Sequence, residues 1–230
     1  MDALSCETLG VQGVNHELRR LAPGDRAHVT HPRGRHNLAV GVSRPISITI
    51  EGNAGYFLGG LCGAADGTGP EIVVHGLVGW SVGENLMGGS VRIHGSASQS
   101  AGSSARGGSI VIDGDASLRA GISLKGATLV IAGNAGAMSG FMAQSGRILI
   151  GGDAGGGLGD SLYEAVIYVG GGITSLGSDA VVQEMTDEDI LAVKELVQET
   201  GFDHIDPNRV TKVVSARQLY HFSTHNHGAY

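Results

Sequence analysis

The sequence predicts an all-β protein that folds as a right-handed, single-stranded parallel β-helix of about seven coils. Three observations favour this fold. A 19-residue period runs from residue 46 to about residue 180, a short β-branched segment recurs in each period, and glycine recurs at fixed positions. The chain of 230 residues contains 40 glycines, more than twice the ordinary share of about 7%. So many glycines indicate many tight backbone corners.

Two glycine registers define the repeat. The first directly follows the β-branched segments and comprises Gly76, Gly95, Gly114, Gly133, Gly152 and Gly171. The second lies seven residues later and comprises Gly83, Gly102, Gly121, Gly140 and Gly159. An earlier copy, which begins at Ile48, is displaced by 24 residues instead of 19. The five additional residues predict a loop within residues 63–69 that projects from one corner of the coil.

The β-branched segments predict the core of the solenoid. Residues of one strand alternate between its two faces, and parallel coils stack about 4.8 Å apart. One inward ladder is therefore Ile48, Ile72, Val91, Ile110, Leu129, Ile148 and Ile167, and the next is Ile50, Val74, Ile93, Ile112, Ile131, Ile150 and Val169. We predict a right-handed helix because connections between parallel strands are overwhelmingly right-handed. Left-handed β-helices use six-residue repeats, and 19 is not a multiple of six.

The segments outside the repeat predict caps. We divide the chain into an N-terminal capping segment (1–45), the β-helix (46–180), and a C-terminal helix with an extended tail (181–230). Thr186 with the acidic residues after it predicts the start of a helix of about 13 residues that closes the last coil and ends at Gly201. Residues 213–222 are predicted to be extended. Residues 221–230 contain three histidines, which favour a mobile or partner-docked tail, with metal binding as the alternative.

Several outward positions are apolar and predict a covered surface. Four of seven residues in the ladder Thr49, Val73, Arg92, Val111, Val130, Leu149 and Tyr168 are aliphatic, whereas a solvated face is normally polar. Either the C-terminal tail or a partner subunit covers this face. Together with large residues at coil corners, the candidate partner interface is Tyr56, Phe57, Val73, Trp80, Val111, Val130, Phe141, Leu149 and Tyr168.

A second outward ladder is polar and comprises Glu51, His75, His94 and Asp113. Imidazoles and carboxylates on successive coils suit a metal or proton-handling site, but they equally suit a hydrogen-bonded ladder on a wet face. Cys6 and Cys62 lack metal-binding spacing, and two thiolates cannot supply the four ligands that an iron–sulfur cluster normally takes. No nucleophile motif is present. The sequence therefore predicts no catalytic, cofactor-binding or metal-binding residues in this chain.

Charge and hydropathy restrict the surroundings of the protein. The net charge of −7 disfavours nucleic acid as a partner, because phosphate binding needs a basic surface. No apolar run is long enough to span a membrane. The N-terminus lacks the basic and apolar regions of a signal peptide. We expect a cytoplasmic protein with reduced thiols.

The repeats GNAGYFLGG, GLVGWSVGE, GSASQSAGS, GDASLRAGI, GNAGAMSGF and GDAGGGLGD resemble the glycine-rich β-helix repeat of the C-terminal domain of the glutamate synthase large subunit. The same repeat occurs in the β-helix subunit of formylmethanofuran dehydrogenase. The flanking segments 35–41 and 213–220 are similar to those of the β-helix subunit of N-methylglutamate synthase (methylamine–glutamate N-methyltransferase).

This resemblance implies a non-catalytic structural subunit of a hetero-oligomer that makes N-methylglutamate from glutamate and methylamine. The subunit would bridge an amidotransferase-like subunit and an FMN-binding synthase-like subunit, and FMN and an iron–sulfur cluster would belong to the synthase-like chain. One alternative is the β-helix subunit of a formylmethanofuran dehydrogenase or of a formyltransferase/hydrolase complex. Another is a self-standing enzyme or binding protein that uses the ladder from Glu51 to Asp113.

Overall fold

The computed structural model describes residues 3–217, which form a parallel β-solenoid of about eight turns with a 19-residue spacing. The helices of this range are α1 (Cys6–Arg20) and α2 (Asp187–Thr200). The strands are β1 (Leu4–Ser5), β2 (Arg26–Thr30), β3 (Ser47–Glu51), β4 (Glu71–His75), β5 (Ser90–Ile93), β6 (Ser109–Ile112), β7 (Lys125–Ile131), β8 (Ser145–Ile150), β9 (Val166–Val169), β10 (Ala180–Gln183) and β11 (Thr211–Ser215). Neither α1 nor α2 is long and apolar enough to cross a membrane.

One sheet contains these strands in the order β1 to β9, then β11, then β10. Strands β1 to β9 run parallel to one another, and β11 runs antiparallel to both β9 and β10. The predicted parallel β-helix is therefore confirmed. The ladder begins earlier than residue 46, because β2 pairs in parallel with β3 through Ala27 opposite Ile48.

The two predicted inward ladders are confirmed residue by residue. Ile48 pairs with Ile72, Ile72 with Val91, and the pairing continues in register to Ile167. Every member of both ladders is buried. The core stays thin because small residues fill the next inward position, which carries Ala54, Val78, Ala97, Ala116, Ala135 and Ala154. The predicted loop is present, with residues 65–68 exposed between the buried Cys62 and β4.

The first glycine register leaves room for a ladder of side-chain oxygens that accept hydrogen bonds from backbone N–H groups of the next coil. Asp115 Oδ1 accepts a hydrogen bond from the Asn134 backbone N–H one coil later, at 2.7 Å. A Cβ at Gly133 would lie 2.3 Å from the same oxygen, so only glycine permits this approach. The acceptors of the ladder are Asn53, Ser96, Asp115, Asn134 and Asp153.

We expect Asp115→Ala to lower the free energy of unfolding by about 0.5–1.5 kcal/mol, the usual net contribution of a hydrogen bond. Asp115→Asn is the matched control, because its amide oxygen still accepts from the Asn134 N–H. Chemical denaturation measures both values, and amide exchange of Asn134 should accelerate in the alanine variant alone. Equal exchange rates in the two variants would show that this acceptor does not protect the amide.

The second glycine register combines a left-handed backbone with close packing. Gly121 has φ +71°, and a Cβ there would lie 2.5 Å from Ile148 Cδ1 in the core. Left-handed corners alone do not demand glycine, since Arg119 (φ 59°) and Ser123 (φ 53°) adopt them in the same coil. The Arg119 side chain is exposed, whereas a side chain at Gly121 would meet the core, so the close packing at this position is what favours glycine here.

The N-terminal cap consists of β1 and α1. The Ser5 hydroxyl accepts a hydrogen bond from the Glu7 N–H and caps the helix, which bends at Gly10 (φ 64°). Cys6, Val14 and Leu18 of α1 belong to the same buried cluster as the solenoid core. This helix therefore covers the first coil, as the predicted cap requires.

Helix α2 confirms the predicted C-terminal helix, with Thr186 and Asp189 forming a capping box and Gly201 ending it in the left-handed conformation. The helix packs on the outer face of the sheet, and β11, not α2, pairs with the last parallel strand. Residues 213–215 of the predicted extended segment lie in β11. The rest of that segment and the histidine-containing tail lie outside the described residues.

Part of the expected partner interface is covered by the chain itself. Val130, Leu149 and Tyr168 are buried against Val193, Leu196 and Val197 of α2 and the segment after it, with Val111 partly buried at the edge of this cluster. The C-terminal helix, and not a partner subunit, therefore accounts for these apolar outward positions.

Candidate partner-binding surface

The polar ladder separates into pairs. Glu51 Oε1 lies 3.1 Å from His28 Nε2, a residue of β2 that sequence analysis did not connect with it. The rings of His75 and His94 stack with centroids 5.0 Å apart. His94 Nδ1 hydrogen-bonds to Asp113 Oδ2. Among residues 3–217, no three His, Cys, Asp or Glu side chains are grouped to hold a metal ion.

Asp113 connects this ladder to the C-terminal helix. Its second oxygen accepts a hydrogen bond from Arg92 Nε at 3.1 Å. Arg92 Nη2 donates to the Thr200 carbonyl at 3.0 Å, and its guanidinium lies 5.4 Å from the centroid of the Phe202 ring. Arg92 therefore joins the sheet to the last residue of α2, which gives this end of the ladder a structural role.

The two cysteines are buried, free thiols. The Cys62 thiol donates to the Ala39 carbonyl at 2.9 Å. Burial raises the pKa of Cys62 to about 11 and also raises the pKa of Cys6. Both side chains therefore remain protonated at neutral pH and are poor nucleophiles and poor metal ligands.

Three exposed aromatic rings form a stack at one corner of the early coils. The ring centroids of His36 and Tyr56 are 4.2 Å apart, and those of Tyr56 and Trp80 are 5.0 Å apart. The Tyr56 backbone N–H donates to His36 Nδ1 at 2.8 Å, which fixes the orientation of the imidazole. A Cβ at Gly55 would lie 2.1 Å from His36 Nδ1, so this glycine makes the stack possible.

We call the exposed surface of His36, Tyr56, Phe57, Leu61 and Trp80 the aromatic corner. Tyr56 is 37% exposed, Trp80 46% and Leu61 56%. Sequence analysis singled out Tyr56, Phe57 and Trp80 but missed His36, whose contact spans 20 residues through the first coil. Phe141 lies three coils beyond Trp80, and Val73 lies on the sheet face, so neither extends this surface.

The repeat provides an internal comparison for the aromatic corner. Backbone hydrogen bonds stack Tyr56 and Trp80 in one column with Gln99, Leu118, Ala137 and Gly156. The column of Phe57 continues with Ser81, Ser100, Arg119, Met138 and Gly157, and that of Leu61 with Asn85, Ser104, Ser123, Met142 and Ser161. In most of the other coils, the positions equivalent to Tyr56, Phe57 and Leu61 therefore carry small or polar side chains. The fold does not require aromatic residues there.

Comparison with known proteins places the chain in a family. No family profile matches it. It is 45% identical over 233 residues to protein GlxC of Rhizobium meliloti (strain 1021), and the alignment covers all of both proteins. The chain belongs to the GlxC family. Membership of the GlxC family and the 19-residue solenoid together support the glutamate synthase-like character that the repeat predicted.

Proposed function

We propose that this GlxC-family protein is a non-catalytic structural subunit of a cytoplasmic glutamate synthase-like complex. It holds an amidotransferase-like subunit and an FMN-binding synthase-like subunit in a fixed relation. The complex makes N-methylglutamate from glutamate and methylamine. The family, the solenoid and the resemblance of its repeats support this proposal, and the aromatic corner carries it.

The aromatic corner has the composition of a protein interface. Aromatic residues are enriched at such surfaces, and Trp and Tyr dominate their binding energy. Two of the exposed rings already stack on each other, so little side-chain freedom remains to be lost on binding. Since the same columns carry polar or small residues in other coils, selection for a partner explains these side chains better than selection for the fold.

The solenoid suits the task of positioning two subunits. Strands β2 to β9 form an uninterrupted parallel ladder, which spans about 34 Å at the usual spacing of about 4.8 Å. A close-packed core of this kind has low compressibility. Partners attached at different coils would keep their separation while a reactive amine passes between them.

The implied cofactors fit the partner better than this chain. A four-thiolate cluster cannot be built from Cys6 and Cys62, which are the two buried, free cysteines of the chain. We therefore place the iron–sulfur cluster, together with FMN, in the synthase-like subunit. The role of this chain is then to bind and orient the subunit that carries them.

Trp80→Gln should weaken binding to a partner subunit by at least about 30-fold, which corresponds to the loss of a hot spot of about 2 kcal/mol. Glutamine occupies the same column one coil later, at Gln99, so the backbone accepts it. The control is Leu118→Gln, which changes an exposed residue of the same column two coils away. Co-expression with the two proposed subunits, followed by affinity measurement and mass determination of the assembly, tests this expectation.

Unchanged affinity of Trp80→Gln for both subunits would contradict the role of the aromatic corner. Turnover by the purified chain alone would contradict the non-catalytic role. Native co-purification with formyltransferase or formylmethanofuran dehydrogenase subunits would assign the chain to that other kind of complex.

A further inference from the structure

The last strand of the sheet has an open edge. β10 pairs with β11 on one side, and within residues 3–217 no strand pairs with its other side. Val181 is 40% exposed and Val182 57% exposed. This strand lies at the far end of the solenoid from the aromatic corner.

The register shows which backbone groups face the open edge. The Ala216 N–H donates to the Asp179 carbonyl, and Val182 lies opposite Val213 in the same antiparallel ladder. Hydrogen-bonded and non-hydrogen-bonded pairs alternate along antiparallel strands. Val182, three residues after Asp179, therefore belongs to a non-hydrogen-bonded pair, and its N–H and carbonyl point away from β11.

This edge lacks the protection that natural sheets usually have. Edge strands are commonly interrupted by proline, lysine or a bulge, or are covered by another element. The sequence of β10 is Ala-Val-Val-Gln, with a regular register to β11. At the opposite end of the sheet, β1 has only two residues and lies next to α1. An open edge at one end alone indicates that an extended segment pairs there.

Charge around the edge indicates the chemistry of that segment. Glu184, Asp187 and Glu188 follow β10, are exposed, and form no ion pair with any residue of 3–217. The whole chain carries a net charge of −7. A second copy would bring two acidic ends together. A strand with lysine or arginine beside its apolar residues fits this edge better.

We propose that the open edge of β10 accepts an extended, basic strand from a partner protein, which adds one more strand to the sheet. The proposal rests on the proposed function for the identity of its binding partners, the co-expressed subunits. With the aromatic corner at one end and this edge at the other, each surface binds a different subunit. The solenoid then bridges the two without direct contact between them.

Val182→Pro tests the backbone part of this proposal. Proline removes the outward N–H but leaves the β10–β11 hydrogen bonds intact, since that N–H does not take part in them. Binding of one co-expressed subunit should weaken about tenfold, the effect of losing a hydrogen bond at a docked edge. Val182→Thr retains the N–H and is the matched control. Val182→Lys, which adds a charge that repels a basic strand, provides a second test should proline perturb folding.

The outcomes separate this inference from the proposed function. Loss of one subunit in Val182→Pro and Val182→Lys, with the threonine variant and binding of the other subunit unaffected, supports the edge. Normal assembly of both variants overturns it, even where Trp80→Gln weakens binding and the proposed function stands. Self-association abolished by Val182→Pro would show that a second copy is the occupant. Faster exchange of the Val182 amide after deletion of residues 218–230 would show that the chain's own tail covers the edge.

Discussion

Replacing Lys212 by methionine is expected to lower the free energy of unfolding by about 3–5 kcal/mol, the usual effect of removing one partner of a buried ion pair. Lys212 Nζ lies 2.7 Å from Asp189 Oδ2, and both side chains are buried where α2 meets the sheet. Methionine fills a similar volume but leaves the Asp189 carboxylate without its counter-charge. Chemical denaturation should show a lower midpoint, and amide exchange should show earlier opening of α2.

The remaining partners of Asp189 define the control for this prediction. The Tyr168 hydroxyl donates to Asp189 Oδ1 at 2.7 Å, and Thr186 donates through both its N–H and its hydroxyl. Asparagine at position 189 keeps an acceptor oxygen but carries no charge. The double variant Lys212→Met with Asp189→Asn should therefore regain most of the lost stability. A single variant that unfolds at the wild-type denaturant concentration would show that the pair contributes nothing.

The pair also makes stability depend on pH. Burial alone would raise the pKa of Asp189, but the hydrogen bonds from Lys212, Thr186 and Tyr168 outweigh it and hold that pKa well below its usual range. A carboxyl with a lowered folded-state pKa stabilises the fold above its unfolded pKa of about 3.9, and this contribution disappears as the pH falls below that value. Wild type should therefore lose stability more steeply below about pH 4 than the double variant.

The periodic part of the fold follows from the sequence because each coil meets the same local environment. The Ile48 and Ile50 ladders could be read from spacing alone, since residues one period apart are neighbours in a parallel solenoid. The segment Arg26–Thr30 lacks both glycine registers, and its strand was therefore not recognised. The insertion of β11 between β9 and β10 depends on contacts between distant segments, which no local pattern encodes.

The candidate surface was predictable only in part, because some of its contacts join segments outside the repeat. Tyr56 and Trp80 occupy one repeat column, and large side chains at a corner position can be found by aligning the coils. His36 joins them through a hydrogen bond to the Tyr56 backbone, outside the 19-residue register. Val130 and Leu149 showed correctly that their face is covered. The sequence left open whether a partner or the chain's own C-terminal tail covers it, and the long-range packing of α2 shows that the chain itself does.

The second glycine register gives the other large effect. Gly121→Ala should destabilise the protein by about 2–5 kcal/mol, because a left-handed alanine costs about 1–2 kcal/mol and overpacking the core adds about 1–3 kcal/mol. The new Cβ would lie 2.5 Å from Ile148 Cδ1, within one of the two main inward ladders. Since Ile148 packs between Leu129 and Ile167 in its ladder, it cannot move without disturbing the neighbouring coils. Thermal and chemical denaturation measure the change.

Arg119 separates the two causes of that effect. It adopts the same left-handed conformation in the same coil, at φ 59°, but its side chain is exposed. Arg119→Ala should stay within about 0.5 kcal/mol of wild type, since neither conformation nor core packing changes. Arg119→Gly removes the left-handed strain at the expense of a more flexible unfolded chain, so its effect should stay below about 1 kcal/mol. If Gly121→Ala were as stable as Arg119→Ala, the inward approach of Ile148 would not be the reason for glycine in this register.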